Sequence, residues 1–457
     1  MTVPSVSVII PYYENPTGLS AVLAGLSAQD YTGDIEIIVA DDGSATAPEV
    51  PAGVRLVRQD DRGFRAAAAR NLGAAHASGT ILVFLDGDTI PQPGCIAVLA
   101  EALVAEPWTL AVGSRRMLDT DTTPPTDLGE PAWLTRAWAD TSDLQRVDDT
   151  GFRFIISAVL AVTRELFETI GGFDARFIGY GGEDWELAWQ ARLAGAGYRH
   201  LPHALAHHLG GDWAHRWGAD TAGKRAEKNA ESMALAASIT HPIMRPAGIV
   251  FSVPDILVHL PSSGDTGCDV AAITALLAAG DVHVVVTAGQ DAAATGPEVP
   301  GVFAADPRVH DVVPEWNRAR PRFDVCAHRA FCPGPGELQA VCEAAAMAER
   351  CATVTDSTGQ LYAEIRPARV VALAARGTCG SVPTSEPEFG SEPGLRLVRQ
   401  WALPPALLAL EDTWRQAAEE ELKGCQAGNS GGEPGSAGGF VVGADQLSGD
   451  ADGLLSR

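Results

Sequence analysis

Lysine is almost absent from this 457-residue chain; it stands only at positions 224, 228 and 423. Positive charge is therefore nearly all arginine, and 33 basic side chains face 58 acidic ones for a formal net charge of −25. So acidic a chain excludes a protein that grips nucleic acid or anionic lipid through a basic surface. Arginine suits planar, bidentate partners such as phosphate, although a biased genome composition produces the same skew. Also missing is any run of about 18 apolar residues, so no integral membrane segment is predicted. The opening MTVPSVSVIIPYYEN has no basic stretch of the signal-peptide kind, and its apolar run is only strand-length. The eight cysteines include no Cys-x-x-Cys pair, which argues against a zinc knuckle. They read as reduced thiols, and the protein as cytoplasmic. Hydrophobic residues, at 46%, are plentiful enough for real cores.

The length suggests two or three domains. Through residue 115 or so, strand and helix patterns alternate, which points to an α/β parallel sheet. Strands are predicted at Val6–Pro11, Ile35–Ala40, Val54–Val57 and Ile81–Leu85. Between them, Leu19, Val22, Leu23 and Leu26 share a helix face, and FRAAAARNLGAAH (64–76) reads as a helix small enough to lie close on a sheet. Residues 116–150 break the rhythm: acidic, Pro-containing and carrying Trp133 and Trp138, they are expected to be irregular, as a lid or a disordered insert. Regular patterning resumes at FRFIISAVLAV, with helices expected at Arg164–Ile170 and from Asp184 to Ala194.

HPIMRPAGIVFSVP (241–254) looks like a boundary. The expected division is a domain over 1–245, a second and smaller α/β domain over 250–422, and a disordered Gly/Ser-rich tail over 423–457. An internal echo crosses the boundary. FLDGDTIPQPGCIAVLAEAL aligns without a gap on CAHRAFCPGPGELQAVCEAA, with Pro91, Pro93, Gly94 and Glu101 on Pro333, Pro335, Gly336 and Glu343, a constant offset of 242. Asp86 and Asp88 fall on His328 and Ala330. The second domain thus reads as a degenerate copy of the first.

Ligands of parallel α/β sheets bind beyond the carboxyl ends of the strands. Three such ends carry polar groups: Pro11-Tyr12-Tyr13-Glu14-Asn15, Asp41-Asp42, and Asp86-Gly87-Asp88. One acidic turn means little, since Asp and Gly are ordinary turn residues; three on one edge make a site. Carboxylates can bridge Mg2+ or Mn2+ to phosphate oxygens, and Arg62, Arg65 and Arg70 could add positive charge there. Downstream, Gly181-Gly182 forms a turn before Glu183-Asp184 at a helix start. The plain reading is helix capping; the functional one is a general base. HALAHHLGGDWAH adds His203, His207, His208 and His215, each more ordinarily a surface or packed histidine than a metal ligand.

In order, VSVIIPYYEN, IIVADDGS, DRGFRAAAARNLGAAHASGTILVFLDGDTIP and GGFDARFIGYGGEDWELAWQARLAGAGY resemble the family-2 inverting glycosyltransferases of GT-A fold, over about residues 4–235. The bacterial type with chondroitin-polymerase active domains is the nearest in pattern. That resemblance implies an α/β GT-A domain, a nucleotide-sugar donor (UDP-sugar), a hydroxyl acceptor on a glycan, small molecule or peptide, and Mn2+ or Mg2+ as cofactor. It implies that Pro11, Tyr13 and Asp42 hold the base or ribose, and that Arg70 lies near the diphosphate. Asp86 and Asp88 become the Asp-x-Asp pair, with Asp88 the direct metal ligand. Asp184 becomes the base and Glu183 an acceptor contact, and His208 a metal ligand with His207 as its rival. Nothing in the Trp133–Trp138 segment can be carried over, so the acceptor is left open. The alternatives are a non-catalytic sugar-nucleotide or glycan-binding protein on the same fold, against which the intact acids speak, and a nucleotidyltransferase, whose Gly-rich basic phosphate loop PYYENPTG lacks. With acids missing at 328 and 330 and no Gly-Gly-Glu-Asp, the second domain is expected to be catalytically silent.

Overall fold

A computed structural model describes residues 3–179, 181–209, 221–289, 299–377 and 395–398. The expected tail at 423–457, most of 378–422, and His215 lie outside the described residues. The described chain forms two compact units, one reaching Met244 and the other starting at Arg245. Both are α/β, and no described helix is long and apolar enough to cross a membrane.

The first unit runs β1 (Val6–Tyr12), α1 (Pro16–Ser27), β2 (Ile35–Asp41), β3 (Val54–Arg58), α2 (Ala66–His76), β4 (Ile81–Leu85), β5 (Thr89–Pro91) and α3 (Cys95–Ala105). It continues through β6 (Thr109–Asp119), β7 (Thr126–Gly129), α4 (Ala132–Thr141), β8 (Val159–Thr163), α5 (Arg164–Thr169), α6 (Glu183–Leu193), β9 (Gly197–Leu209) and α7 (Thr221–Ser238). The strands join in one sheet of order β3-β2-β1-β4-β8-β6-β9-β5, with β7 on β6. The run β3-β2-β1-β4 is parallel. β8 is antiparallel to both β4 and β6, and β6 is parallel to β9.

Apolar residues fill both faces of the central strands, which is why those strands read as unbroken runs. On one face Val8, Ile10 and Val83 pack under Leu19, Val22 and Leu26 of α1 and Ile96, Leu99 and Leu103 of α3. Each such side chain contributes about 1.5 to 3 kcal/mol on full burial. On the other face Phe84 meets Phe173 and Phe167 at 5.0 and 5.2 Å between ring centres. There α2 lies close enough that a Cβ on Gly73 would come within 2.4 Å of Ile9. The small residues of α2 allow that approach.

The 116–150 segment departs from expectation. It is not an irregular insert: β6 runs on to Asp119 beside β9, β7 pairs back on it, and α4 follows. Leu134, Ala137 and Trp138, at i, i+3 and i+4, form the buried face of α4. Trp138 stacks on His200 with ring centres 4.1 Å apart. Asp121, Pro124, Pro125 and Asp127 lie exposed in or beside the hairpin turn and Asp140 on the exposed side of α4, and they masked a short amphipathic helix.

The second unit comprises β10 (Ile256–Pro261), α8 (Thr266–Ala278), β11 (Val282–Thr287), β12 (Val309–His310), β13 (Phe323–Ala327), α9 (Glu337–Met347), β14 (Ala352–Thr355), β15 (Leu361–Pro367), α10 (Ala368–Ala375) and β16 (Leu395–Val398). Its sheet order is β12-β11-β10-β13-β15-β14-β16. Strand for strand this repeats β3-β2-β1-β4-β8-β6-β9, with the same parallel and antiparallel pairings. β13 and α9 sit 242 residues beyond β4 and α3, and Gly94 and Gly336 both cap their helices in the left-handed conformation. Two differences bear on function. No helix lies between β12 and β13, where the first unit has α2. At the position of Asp86 stands His328, paired with Glu364 at 3.3 Å.

Candidate active site

β2, β1 and β4 are adjacent and parallel, so their carboxyl ends open on one edge. This register brings Asp42, Tyr13 and Asp86 onto neighbouring strand ends. Tyr13 is 49% exposed and its hydroxyl donates to Asp61 Oδ2 at 3.4 Å. Asp42 is buried, and its carboxylate accepts from Gln59 Nε2 and the Arg65 amide, both at 2.6 Å. Asp41 is tied instead to the Ser44 amide and hydroxyl. The Asp86-Gly87-Asp88 turn lies against the end of β1, and a Cβ on Gly87 would sit 3.1 Å from the Pro11 carbonyl. Pro11, Tyr13 and Asp42 thus share one end of the edge. Of the arginines upstream of β4, Arg62 is an exposed partner of Asp60, and Arg65 lies 3.6 Å from Asp42.

Arg70 occupies the middle. Buried on α2, its guanidinium donates to Asp86 Oδ1 and to Glu183 Oε1, each at 2.8 Å. Burial disfavours its charge, but the charges of Asp86 and Glu183 more than offset this and raise its pKa. Asp184 is the next residue along. Its carboxylate accepts from the Trp185 amide at 2.9 Å and the Ser157 amide at 3.4 Å. Burial and then the neighbouring Glu183 charge push this carboxyl up to about 7, against the pull of Arg70 and the two amides. A carboxyl in that range can exchange a proton near neutrality.

Gly181 and Gly182 present the two acids at the start of α6, with φ of 95° and 91°. A side chain at Gly182 would strike the Phe177 ring at 2.9 Å, and one at Gly181 would strike Glu231 on α7 at the same distance. Glu231, raised by burial, forms an ion pair with Lys228 at 2.8 Å. No sequence spacing pointed to Glu231 or to Ser157, and Arg65, expected to add positive charge, bonds Asp42 through its backbone amide, a group any non-proline residue has. The lysine shortage was the one usable hint, since two of the three lysines lie on α7.

At the other end of the turn, Asp88 Oδ1 lies 3.2 Å from His208 Nδ1, and Thr89 Oγ1 lies 3.3 Å from the same nitrogen. Pairing of Thr89 with His208 across β5 and β9 sets this contact. His207 points to the opposite face, toward Asp127 at 3.9 Å. His203 is exposed. Among the described residues no group of three His, Cys, Asp or Glu side chains gathers to hold a metal. The Asp88–His208 pair therefore falls short of a closed cage. It does fit an ion that is held by one or two protein ligands and completed by substrate phosphate oxygens, as Mg2+ commonly is.

Residues 7–171 match the family model described as Glycosyl transferase family 2, and residues 149–209 match the one described as the N-terminal domain of galactosyltransferase. The second match contains Glu183, Asp184 and His208. The hyaluronan synthase of Pasteurella multocida is 30% identical over 44% of this chain and 24% of its own length. The chondroitin synthase of Escherichia coli is 27% identical over 46% of this chain and 35% of its own. The validoxylamine A glucosyltransferase of Streptomyces hygroscopicus subsp. jinggangensis is 31% identical over 42% and 52%. The matched stretch spans about a quarter to a half of each relative. The first unit contains a family 2 glycosyltransferase domain, related in sequence to chondroitin and hyaluronan synthases.

Proposed function

We propose that this family 2 domain has the GT-A fold and transfers a sugar, with inversion, from a nucleoside-diphosphate sugar, a UDP-sugar first among them, to a hydroxyl of a glycan, small molecule or peptide. The observation that carries this reading is the Arg70 bridge. One buried guanidinium ties Asp86, on the strand-edge side, to Glu183, beside Asp184, whose carboxyl is poised near neutrality.

Asp184 takes the proton from the acceptor hydroxyl. The freed oxygen bonds to the anomeric carbon as the bond from that carbon to the diphosphate oxygen breaks on the opposite face. A single displacement of this kind needs no enzyme nucleophile, only orientation and charge stabilisation. Pro11, Tyr13 and Asp42 hold the base and ribose. Arg70 places one positive charge between the carboxylates of Asp86 and Glu183. Glu183, engaged by Arg70 through Oε1, faces the acceptor only through what its second oxygen can reach. Asp88 and His208, with Asp86 nearby, would hold Mn2+ or Mg2+, which when bound neutralises charge on the departing diphosphate.

The second unit, in this reading, is not catalytic and serves acceptor binding or assembly. It has the sheet but neither the acids at the β4-type strand end nor the helix that would carry an Arg70 counterpart. The test is release of UDP, GDP or dTDP from the corresponding sugars in the presence of Mn2+, with Asp184→Asn as comparison. Asp184→Asn should keep nucleotide binding and lose transfer; transfer retained in that variant would sink the assignment of the base.

A further inference from the structure

We propose that Asn71 is a positioning residue for the transfer, a clamp that keeps the loop leading to Glu183 and Asp184 in register with Arg70. The proposal rests on the transferase reading above and goes beyond it by naming what holds the acids in place. Asn71 follows Arg70 on α2, and the two side chains reach the same stretch of chain in different ways. Arg70 bonds the side chain of Glu183, whereas Asn71 bonds main chain. Asn71 Nδ2 donates to the Phe173 carbonyl at 2.7 Å, and Asn71 Oδ1 accepts from the Phe173 amide at 2.9 Å. One side chain thus satisfies both main-chain groups of a residue 102 positions away. The clamp needs a donor and an acceptor on one short planar group, which asparagine has and aspartate lacks. It also needs a close approach. Gly172 has a φ of 66°, and a Cβ there would come within 2.7 Å of Asn71 Oδ1 and 3.0 Å of the Phe167 ring.

A ring is fixed along with the backbone. Phe173 is buried, and its ring meets Phe84 edge-on at 5.0 Å between ring centres. Phe84 stands two residues before Asp86. The guanidinium carbon of Arg70 lies 5.3 Å from the centre of the Phe173 ring, so the cation rests on an aromatic ring while it reaches Asp86 and Glu183.

From Phe173 the chain reaches Glu183 through Gly181 and Gly182, which bring no stiffness of their own. Contacts along the loop must therefore steady the acids. The Gly179 amide donates to the Phe64 carbonyl at 2.9 Å, and the Phe177 ring stands where a side chain on Gly182 would be. At the start of the loop is the Asn71 clamp, on the same helix as Arg70, so it ties the loop to the frame that carries the guanidinium. The Arg70 hydrogen bonds weaken steeply with misalignment, and this shared frame keeps them aligned. An asparagine that served the fold alone would cost stability when removed and leave the chemistry of the folded enzyme as it was. A positioning residue changes that chemistry.

The experiment compares full-length wild type, Asn71→Leu and Asn71→Ser. Leucine keeps the size and removes both bonds; serine keeps one short hydrogen-bonding group and is gentler on the fold. UDP release from UDP-glucose, UDP-galactose and UDP-N-acetylglucosamine is followed in Mn2+ across the pH range around neutrality, and UDP binding is measured by calorimetry. Asn71→Leu should bind UDP as wild type does, keep its KM and lose about tenfold to a hundredfold in kcat. The pH at which its kcat rises should fall below the wild-type value near 7, because a loosened loop admits water to Asp184, and burial is the main cause of that carboxyl's high proton affinity. Asn71→Ser should move both quantities the same way by less, and it decides the matter where Asn71→Leu does not fold. A lowered melting temperature with wild-type kcat and pH profile makes Asn71 a fold residue and overturns the proposal; so does a loss of UDP affinity in step with kcat. A further arm needs no turnover: the melting-temperature loss from Asn71→Leu should be smaller in a Glu183→Gln background, where the bridge that the clamp aligns is already weakened. Equal losses in both backgrounds overturn the clamp. A wild type that neither binds UDP nor releases it from these sugars sinks the transferase reading instead, and the melting arm still judges the clamp.

Discussion

Replacing Arg70 with methionine removes two charge-assisted hydrogen bonds at 2.8 Å and leaves Glu183 buried and unpaired. Methionine fills much of the arginine volume, so the loss is electrostatic rather than a cavity. Breaking a buried ion pair by deleting one partner costs about 3 to 5 kcal/mol. Asp86 is more accessible than Glu183 and recovers part of its solvation, so most of that cost falls on Glu183. For a domain of this size the loss lowers the melting temperature by roughly 6 to 20 °C. Thermal unfolding followed by circular dichroism at pH 8 reads it directly. Adding Glu183→Gln should recover about 2 kcal/mol, because the two residues are directly coupled. A single Arg70→Met variant within about 1 kcal/mol of wild type at pH 8 would refute the reasoning. So would a double variant less stable than the single one.

Two further outcomes follow from the same geometry. Asp184 has its folded pKa raised to about 7, above the ordinary value near 3.9. Its cost to stability is thus absent below the unfolded pKa, grows as pH rises between the two values, and is complete above 7. Asp184→Asn should therefore be more stable than wild type at pH 8 and no more stable at pH 4, while wild-type turnover climbs as pH rises through 7; a turnover that is flat from pH 6 to 8 would count against Asp184 as the base. Mn2+ with UDP should raise the wild-type melting temperature, and His208→Ala or Asp88→Ala should abolish the Mn2+-dependent part while His207→Ala keeps it. A result in which His207→Ala loses that shift and His208→Ala keeps it would reverse the metal assignment.

Much of the first unit was legible in advance because its signals are local. VSVIIPY and ILVFL are buried on both faces and read as continuous apolar runs; PTGLSAVLAGLS repeats at helical spacing; AAAARNLGAAH is small where Gly73 must clear Ile9. The echo at an offset of 242 was legible too, and strand order shows how far it extends: the second sheet follows the path of the first. Residues 132–141 were missed because a short helix flanked by acids and a proline carries its apolar face in only three residues, Leu134, Ala137 and Trp138.

By itself the sequence determined the residue types at the strand ends, and with them the kind of chemistry. Adjacent aspartates after a buried strand, and Glu-Asp after a glycine pair, are local facts. Tertiary structure alone decided which of these groups touch. Arg70 meets Glu183 across 113 positions of chain, a contact no local pattern encodes. The choice between His207 and His208 was likewise invisible, because alternate residues of a strand face opposite sides and periodicity does not say which side faces Asp88. Pairing of β5 with β9 places His208 opposite Thr89 and beside Asp88. The near-neutral Asp184 is tertiary for the same reason: its proton affinity comes from burial and from its neighbours' charges, which exist only once the chain has folded around it.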